Sequence, residues 1–210
     1  GSCPTGGRGH RTGGGGAGHL ANEGGRYFPV TLRIAGLMFS RRAGSTVAFV
    51  GDANNMARSL ALGLAMCGAT LRIAHPAGYA FNDAAVARLA AAGVSVDTTG
   101  DPHEAAKDAD VVYTDAWYSM GQEAEMVQRR RDFAGFQVDG RVMGVASPDA
   151  VFLHCLPAHR GDEASDDVLD GPQARIWPQA HNRLHSARGL LAWLFLAADD
   201  PGATAVVEEP

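Results

Sequence analysis

Short apolar runs alternate with segments of helical periodicity from Thr46 to near the end of the chain. Strands are predicted in the runs TVAFVGD, LRIAHP, VSVDTTG, VVYTD and AVFLHCLP. Helices are predicted over Asn54–Cys67, DAAVARLAAAG, HEAAKDA, part of Gln122–Phe133 and SARGLLAWLFLA. Strands separated by helices in this way pair in parallel and need cover on both faces. The sequence therefore predicts an α/β fold, a doubly wound parallel sheet with helices on both faces, of Rossmann-like type.

The regular pattern occupies one domain of the 210-residue chain, which we place at residues 46–198. Residues 1–25 contain 11 of the 27 glycines and almost nothing apolar, so they are predicted to be a disordered tail. Residues 26–45 contain apolar side chains without a clear period, and we treat them as a connecting segment of open structure. Residues 199–210 are interpreted as a C-terminal tail.

Composition excludes several classes of protein. With 46% hydrophobic residues the chain can bury a core, which rules out wholesale disorder. The net charge of −5 argues against a nucleic-acid partner, and there is no apolar stretch of about 18 residues for a membrane span. Three cysteines far apart in the sequence suit reduced thiols. We therefore expect a protein of the cytoplasm.

Unusual polar residues follow three of the predicted strands. Ligands of such sheets bind outside the carboxyl ends of the strands, so these positions are candidates for a site. The three segments read GDANN from Gly51, DAWYSMG from Asp115 and HCLPAHRG from His154. The first segment lacks the G-x-G-x-x-G pattern, which excludes the usual dinucleotide fingerprint.

Each of these segments has a functional and a structural interpretation. Asn54 and Asn55 can donate amides to a ligand carboxylate, or one of them can cap the following helix. Asp115 can anchor an ammonium group, or it can simply form a turn. Cys155 can be reactive or an inert core thiol. A cis Leu156–Pro157 bond would turn the Leu156 carbonyl toward a ligand, and we predict that bond to be cis.

Taken together, the motifs resemble the ornithine carbamoyltransferases. The similar stretches are VAFVGDANNMARSLALG, DADVVYTDAWYSMGQE, FAGFQV, VFLHCLPAHRGDEASDDVLDGPQARIW and HNRLHSARGLLAWL, which span about Thr46 to Leu196. The SMG motif favours ornithine over aspartate in this superfamily. The resemblance implies two α/β domains in the family, of which this sequence matches the ornithine-binding one.

The resemblance also implies a reaction and a role for each matching residue. L-Ornithine attacks carbamoyl phosphate to give citrulline and phosphate, a step of arginine biosynthesis that needs no cofactor and no metal. Asn55 would hold the ornithine carboxylate, and Asp115, Ser119 and Met120 its α-amino end. Cys155 would work with Asp115 in proton handling. Cys155, the Leu156 carbonyl and Arg183 would bind the carbamoyl phosphate group.

The sequence departs from the family in two respects. It has neither the Ser-Thr-Arg-Thr-Arg phosphate loop nor the His-Pro-x-Gln segment, and scattered arginines in a glycine-rich tail do not replace a preorganised phosphate site. His181 stands where the family usually has Glu. We therefore expect the chain alone to bind ornithine without making citrulline, unless a homo-oligomer or a partner chain supplies the missing domain.

Two alternatives remain open at this stage. The chain can be a non-catalytic amino-acid-binding module or a truncated, inactive fragment. It can also be a metal protein, since nitrogen and sulfur ligands occur in the segment that starts at His154, and two more histidines, four positions apart, share one face if their segment is helical. These candidate ligands are His154, Cys155, His159, His181 and His185.

Overall fold

Five parallel strands form a single sheet in the computed structural model, which describes residues 44–66, 68–118 and 123–197. The strands are β1 (Thr46–Val50), β2 (Thr70–Ala74), β3 (Asp97–Thr99), β4 (Val111–Thr114) and β5 (Val151–His154). Their order across the sheet is β3-β2-β1-β4-β5, and every neighbouring pair is parallel. The predicted α/β class with a parallel sheet is confirmed. The predictions for residues 1–25 and 199–210, and nearly all of 26–45, lie outside the described residues.

Helices connect the strands and follow the last one. They are α1 (Asn55–Met66), α2 (Asp83–Ala91), α3 (Pro102–Ala106), α4 (Met126–Asp132), α5 (Gly140–Gly144), α6 (Asp166–Leu169) and α7 (Ile176–Ala197). A single 3-10 turn at Glu123–Glu125 precedes α4. The short helices α5 and α6 were not among the predicted elements.

The last helix starts at Ile176 rather than at the predicted Ser186. Pro178 lies in its first turn, where backbone N–H groups have no partner within the helix, so the proline does not disrupt it. The residues in the first half of this helix are largely polar or exposed. They therefore lack the apolar periodicity from which the helix was predicted.

Both faces of the sheet are covered, because successive side chains of β1 point in opposite directions. Val47 and Phe49 pack on one face, in a core cluster that includes residues of α1 and α2. Ala48 and Val50 pack on the other face, in a cluster with residues of α3, α5 and α6. This arrangement confirms the doubly wound architecture. Within the described ranges no helix has the length and apolar composition needed to cross a membrane.

The strand order places a topological switch point between β1 and β4. The chain passes from β1 to β2 on one side, whereas β4 lies on the other, so the connections after β1 and β4 diverge. The Thr114 hydroxyl donates a 2.6 Å hydrogen bond to the Val50 carbonyl and ties the two strand ends together. A crevice at this edge of the sheet is the expected place for a ligand.

Candidate functional site

A cavity of about 630 Å³ opens at the carboxyl ends of β4 and β5 and is bordered by the start of α1 and by α7. Its lining includes Asn55, Asp115, Cys155, Leu156 and Arg183, five of the residues predicted for the site. The fold thus brings together residues that are far apart in the sequence. Two other predicted site residues, Ser119 and Met120, lie outside the described residues.

Asp115 is held in place by contacts with both of its carboxylate oxygens. The Cys155 thiol donates to Oδ1 at 2.7 Å, and the backbone N–H of Ala116 donates to the same oxygen at 2.8 Å. The Asn54 amide nitrogen donates to Oδ2 at 3.3 Å. These donors fix the carboxylate at the side of the cavity.

The two asparagines after β1 have different positions. Asn54 caps α1, because its Oδ1 accepts hydrogen bonds from the N–H groups of Met56 at 2.9 Å and Ala57 at 3.2 Å. Its cap role is therefore confirmed, and the same side chain also orients Asp115. Asn55 is exposed and lines the cavity from the first turn of α1.

Cys155 is a free thiol in a partly buried, electronegative environment. Burial raises the pKa of the Cys155 thiol well above its usual value, and the charge of Asp115 raises it further. The thiol therefore stays protonated at neutral pH and acts as a hydrogen-bond donor. A protonated thiol is a poor nucleophile, so this cysteine is unlike an activated catalytic one.

We predict that iodoacetamide alkylates Cys155 slowly at neutral pH, because only the thiolate reacts. Replacing Asp115 with asparagine removes the adjacent negative charge, lowers the pKa of Cys155 and should accelerate alkylation severalfold. Mass spectrometry of the peptide that contains Cys155 measures the rate. Asp149→Asn, at an exposed turn before β5, is the matched control and should leave the rate unchanged. Equal rates in both variants would contradict the account.

Tyr113 and Gln179 form a polar wall that sequence reasoning missed. The Gln179 amide nitrogen donates to the Tyr113 hydroxyl at 2.9 Å, and the Gln179 Oε1 accepts from the backbone N–H of His154 at 3.1 Å. Burial raises the pKa of Tyr113, so its hydroxyl also stays protonated. These contacts attach α7 to the ends of β4 and β5. Gln179 lies one helical turn before Arg183, a spacing that could have indicated its place in the cavity.

A buried His–Glu contact shapes the loop after β5. His154 and Glu163 are both fully buried, and His154 Nε2 lies 3.1 Å from Glu163 Oε1. The Leu156 N–H donates to His154 Nδ1 at 2.8 Å, so the ring proton is on Nε2 and is donated to Glu163. Glu163 also accepts from the backbone N–H of His159. Glu163 sits in a charged sequence segment that looks like a surface, so no sequence signal pointed to it.

The loop has the backbone geometry that was predicted. The Leu156–Pro157 peptide bond is cis, which confirms the prediction. Leu156 itself has a φ of 59°, in the left-handed region that non-glycine residues seldom adopt. Backbone of this kind concentrates at ligand sites, where surrounding contacts such as those of His154 hold it.

Arg129 connects the first two strand-end segments. Its guanidinium donates at 2.8 Å to both the Asp52 carboxylate and the Trp117 carbonyl. Asp52 follows β1 and Trp117 follows β4, so this one side chain fixes both loops beside the cavity. Sequence reasoning missed Arg129 because a run of three arginines is typical of a solvated helix face.

The five candidate nitrogen and sulfur ligands do not come together in one metal site. The prediction of a metal site built from all five is therefore wrong. Both ring nitrogens of His154 are occupied by Glu163 and the Leu156 N–H. His159 stacks on Tyr118 with ring centroids 4.4 Å apart. In the part of the chain that the structure describes, no three His, Cys, Asp or Glu side chains come close enough to hold an ion.

Comparison with known proteins identifies the family. The sequence profile described as "Aspartate/ornithine carbamoyltransferase, Asp/Orn binding domain" matches residues 43–194. The chain belongs to this family. The resemblance inferred from the strand-end motifs is confirmed.

Carbamoyltransferases of several organisms are similar to the chain in sequence and structure. The ornithine carbamoyltransferase of Acidothermus cellulolyticus is 51% identical over 163 residues, which are 76% of this chain and 52% of that protein. The crystal structure of the Thermus thermophilus ornithine carbamoyltransferase superimposes with a TM-score of 0.66 at 39% identity, over 79% of this chain and 53% of that one. The Pyrococcus furiosus enzyme gives a TM-score of 0.65 at 42% identity over the same shares. The chain thus spans about half the length of these carbamoyltransferases.

Proposed function

We propose that this chain forms the ornithine-binding half of an ornithine carbamoyltransferase, which converts carbamoyl phosphate and L-ornithine to citrulline and phosphate. The observation that supports the proposal most directly is the cavity in which Asn55, Asp115 and Cys155 meet. These residues come from three separate strand ends, and a purely structural role would not require them to converge on one opening.

The cavity has groups suited to both ends of an amino acid. The Asp115 carboxylate is oriented by Asn54 and Cys155 and is a natural partner for an ammonium group. Asn55 offers an amide donor in the first turn of α1, where the helix dipole also favours a carboxylate. Ser119 and Met120 complete the proposed contacts to the α-amino end.

The reaction forms a bond between the ornithine δ-nitrogen and the carbamoyl carbon and breaks the bond from that carbon to the phosphate oxygen. The attacking amine must be neutral and must lose a proton as the new bond forms. The Cys155 thiol is already protonated and donates a hydrogen bond to Asp115. The carboxylate is therefore the proton acceptor of the pair, and the thiol orients it. Arg183 and Leu156 line the cavity, and the Arg183 guanidinium and the Leu156 carbonyl would bind the carbamoyl group through its oxygen and its amide hydrogens respectively.

The phosphate must be bound by groups other than those described here. The 210 residues contain neither of the family's two phosphate-binding strings. We propose that polypeptide outside these 210 residues supplies that half. Holding two reactants in a productive orientation can lower a reaction barrier by roughly 7 to 11 kcal/mol. The phosphate-binding half is therefore expected to contribute strongly to turnover.

Calorimetry with the purified 210-residue chain tests this function. L-Ornithine should bind, whereas L-aspartate, which lacks the long cationic side chain, should not, and a citrulline assay with both substrates should stay at background. Binding of aspartate as tight as that of ornithine would contradict the assignment of the amino-acid substrate. Robust citrulline formation by the chain alone would contradict the proposed division of the two halves.

A further inference from the structure

Two histidines on α7 point at each other outside the cavity. His181 and His185 are one helical turn apart and both are exposed. Their Nε2 atoms are 3.2 Å apart, with ring centroids 4.9 Å apart and ring planes at 71°. At this distance the Nε2–H of one ring can donate a hydrogen bond to the Nε2 lone pair of the other, so both Nε2 atoms face the same small space.

The same distance suits coordination of one metal ion. Two Zn–N bonds of about 2.0 to 2.1 Å at a tetrahedral angle place the two nitrogens about 3.3 Å apart. We propose that His181 and His185 form a two-histidine site for a borderline divalent transition metal ion, such as Zn²⁺, Ni²⁺ or Cu²⁺. Imidazole pairs suit these ions, whereas Mg²⁺ prefers oxygen ligands.

This site is separate from the proposed ornithine cavity. Arg183, which lines the cavity, is two positions from each histidine, and residues two apart on a helix do not face each other. Gln179 and Ala180 also line the cavity and share its side of the helix with Arg183. A metal held by the two histidines would therefore leave the substrate groups free.

The surroundings indicate an open, exchangeable site. Among the described residues no third His, Cys, Asp or Glu joins the pair, so water or buffer would complete the coordination. Arg188 lies three positions beyond His185 on the helix, and its positive charge opposes binding of a cation.

Isothermal titration of the tag-free chain with NiCl₂ and ZnCl₂ tests the site. His181→Ala and His185→Ala should each remove the same one-site component of the binding, because one imidazole cannot chelate. His103→Ala, which removes an exposed histidine from α3, is the matched control and should bind as the unchanged chain does. Histidines and cysteines elsewhere are retained in all variants, so their contribution cancels in the comparison. MgCl₂ should give no binding.

Two further measurements keep the result unambiguous. The imidazole signals of both histidines should shift together in long-range ¹H–¹⁵N spectra when Zn²⁺ is added, and L-ornithine binding should be the same in both alanine variants. Unchanged metal affinity in either variant, or a shift of only one ring, would overturn the proposal. Loss of ornithine binding in these variants would instead contradict the separation of the two sites.

Discussion

Replacing Asp115 with alanine is expected to remove detectable L-ornithine binding. The carboxylate is partly buried, it is fixed by Asn54, Ala116 and Cys155, and it is the anion that we assign to the substrate ammonium. Removing one partner of such a charge pair costs about 2 to 5 kcal/mol, and the lower figure already corresponds to roughly a thirtyfold rise in Kd. Isothermal titration calorimetry measures the change directly.

Two further variants test whether the effect comes from the charge of Asp115 rather than its size, and whether it is specific to the cavity rather than to any exposed carboxylate. Asp115→Asn keeps the size of the side chain but not its charge, so it should weaken binding nearly as much as alanine does. Asp149→Ala removes an exposed carboxylate at the opposite end of the sheet and should leave binding intact. Ornithine affinity that survives in Asp115→Asn would show that the ammonium is bound elsewhere.

Replacing Glu163 with leucine is expected to destabilise the protein strongly. Leucine leaves the fully buried Nε2–H of His154 and the N–H of His159 without their acceptor. Breaking a buried pair from one side costs on the order of 3 kcal/mol, because the remaining group stays desolvated and unpaired. In a chain of this size that corresponds to a fall in Tm of roughly 6 to 12 °C.

Thermal unfolding followed by circular dichroism measures this effect. Glu163→Gln keeps one acceptor oxygen for His154 and should be milder than leucine. Asp166→Ala removes an exposed carboxylate that pairs with Arg160 on the surface, and it should change Tm little because such pairs are screened by water. A leucine variant as stable as the Asp166 variant would show that the buried contact does not hold the loop.

The sheet could be predicted from the sequence because its central strands are short, continuous apolar runs. The runs at β1, β4 and β5 have this form, and the structure places strands there. The edge strand β3 is shorter than predicted. Only Asp97–Thr99 pair with β2, and the alternating apolar residues before Asp97 lie outside the strand. The start of α7 could not be found, because its first half presents exposed Trp177 and Leu184 rather than a buried stripe.

The candidate site was predictable only where residues directly follow strands. Asn55, Asp115 and Cys155 met that condition, and the parallel sheet brings the strand ends to one edge. Glu163 and Arg129 do not line the cavity but hold the loops beside it, and such contacts depend on tertiary packing rather than on the local sequence. Nothing in the local pattern of a charged segment tells which of its carboxylates will be buried.

Titration of the ¹⁵N-labelled chain with L-ornithine, followed by NMR, tests most directly whether this cavity binds the amino acid. The backbone amide signals of Asn55, Asp115 and Cys155 should shift with one common saturation curve. A second cavity, of about 430 Å³ and bordered by Gly140 and Ser147, is an internal control whose signals should stay in place. Shifts confined to that second cavity, or no saturable shift at Asp115, would contradict the account.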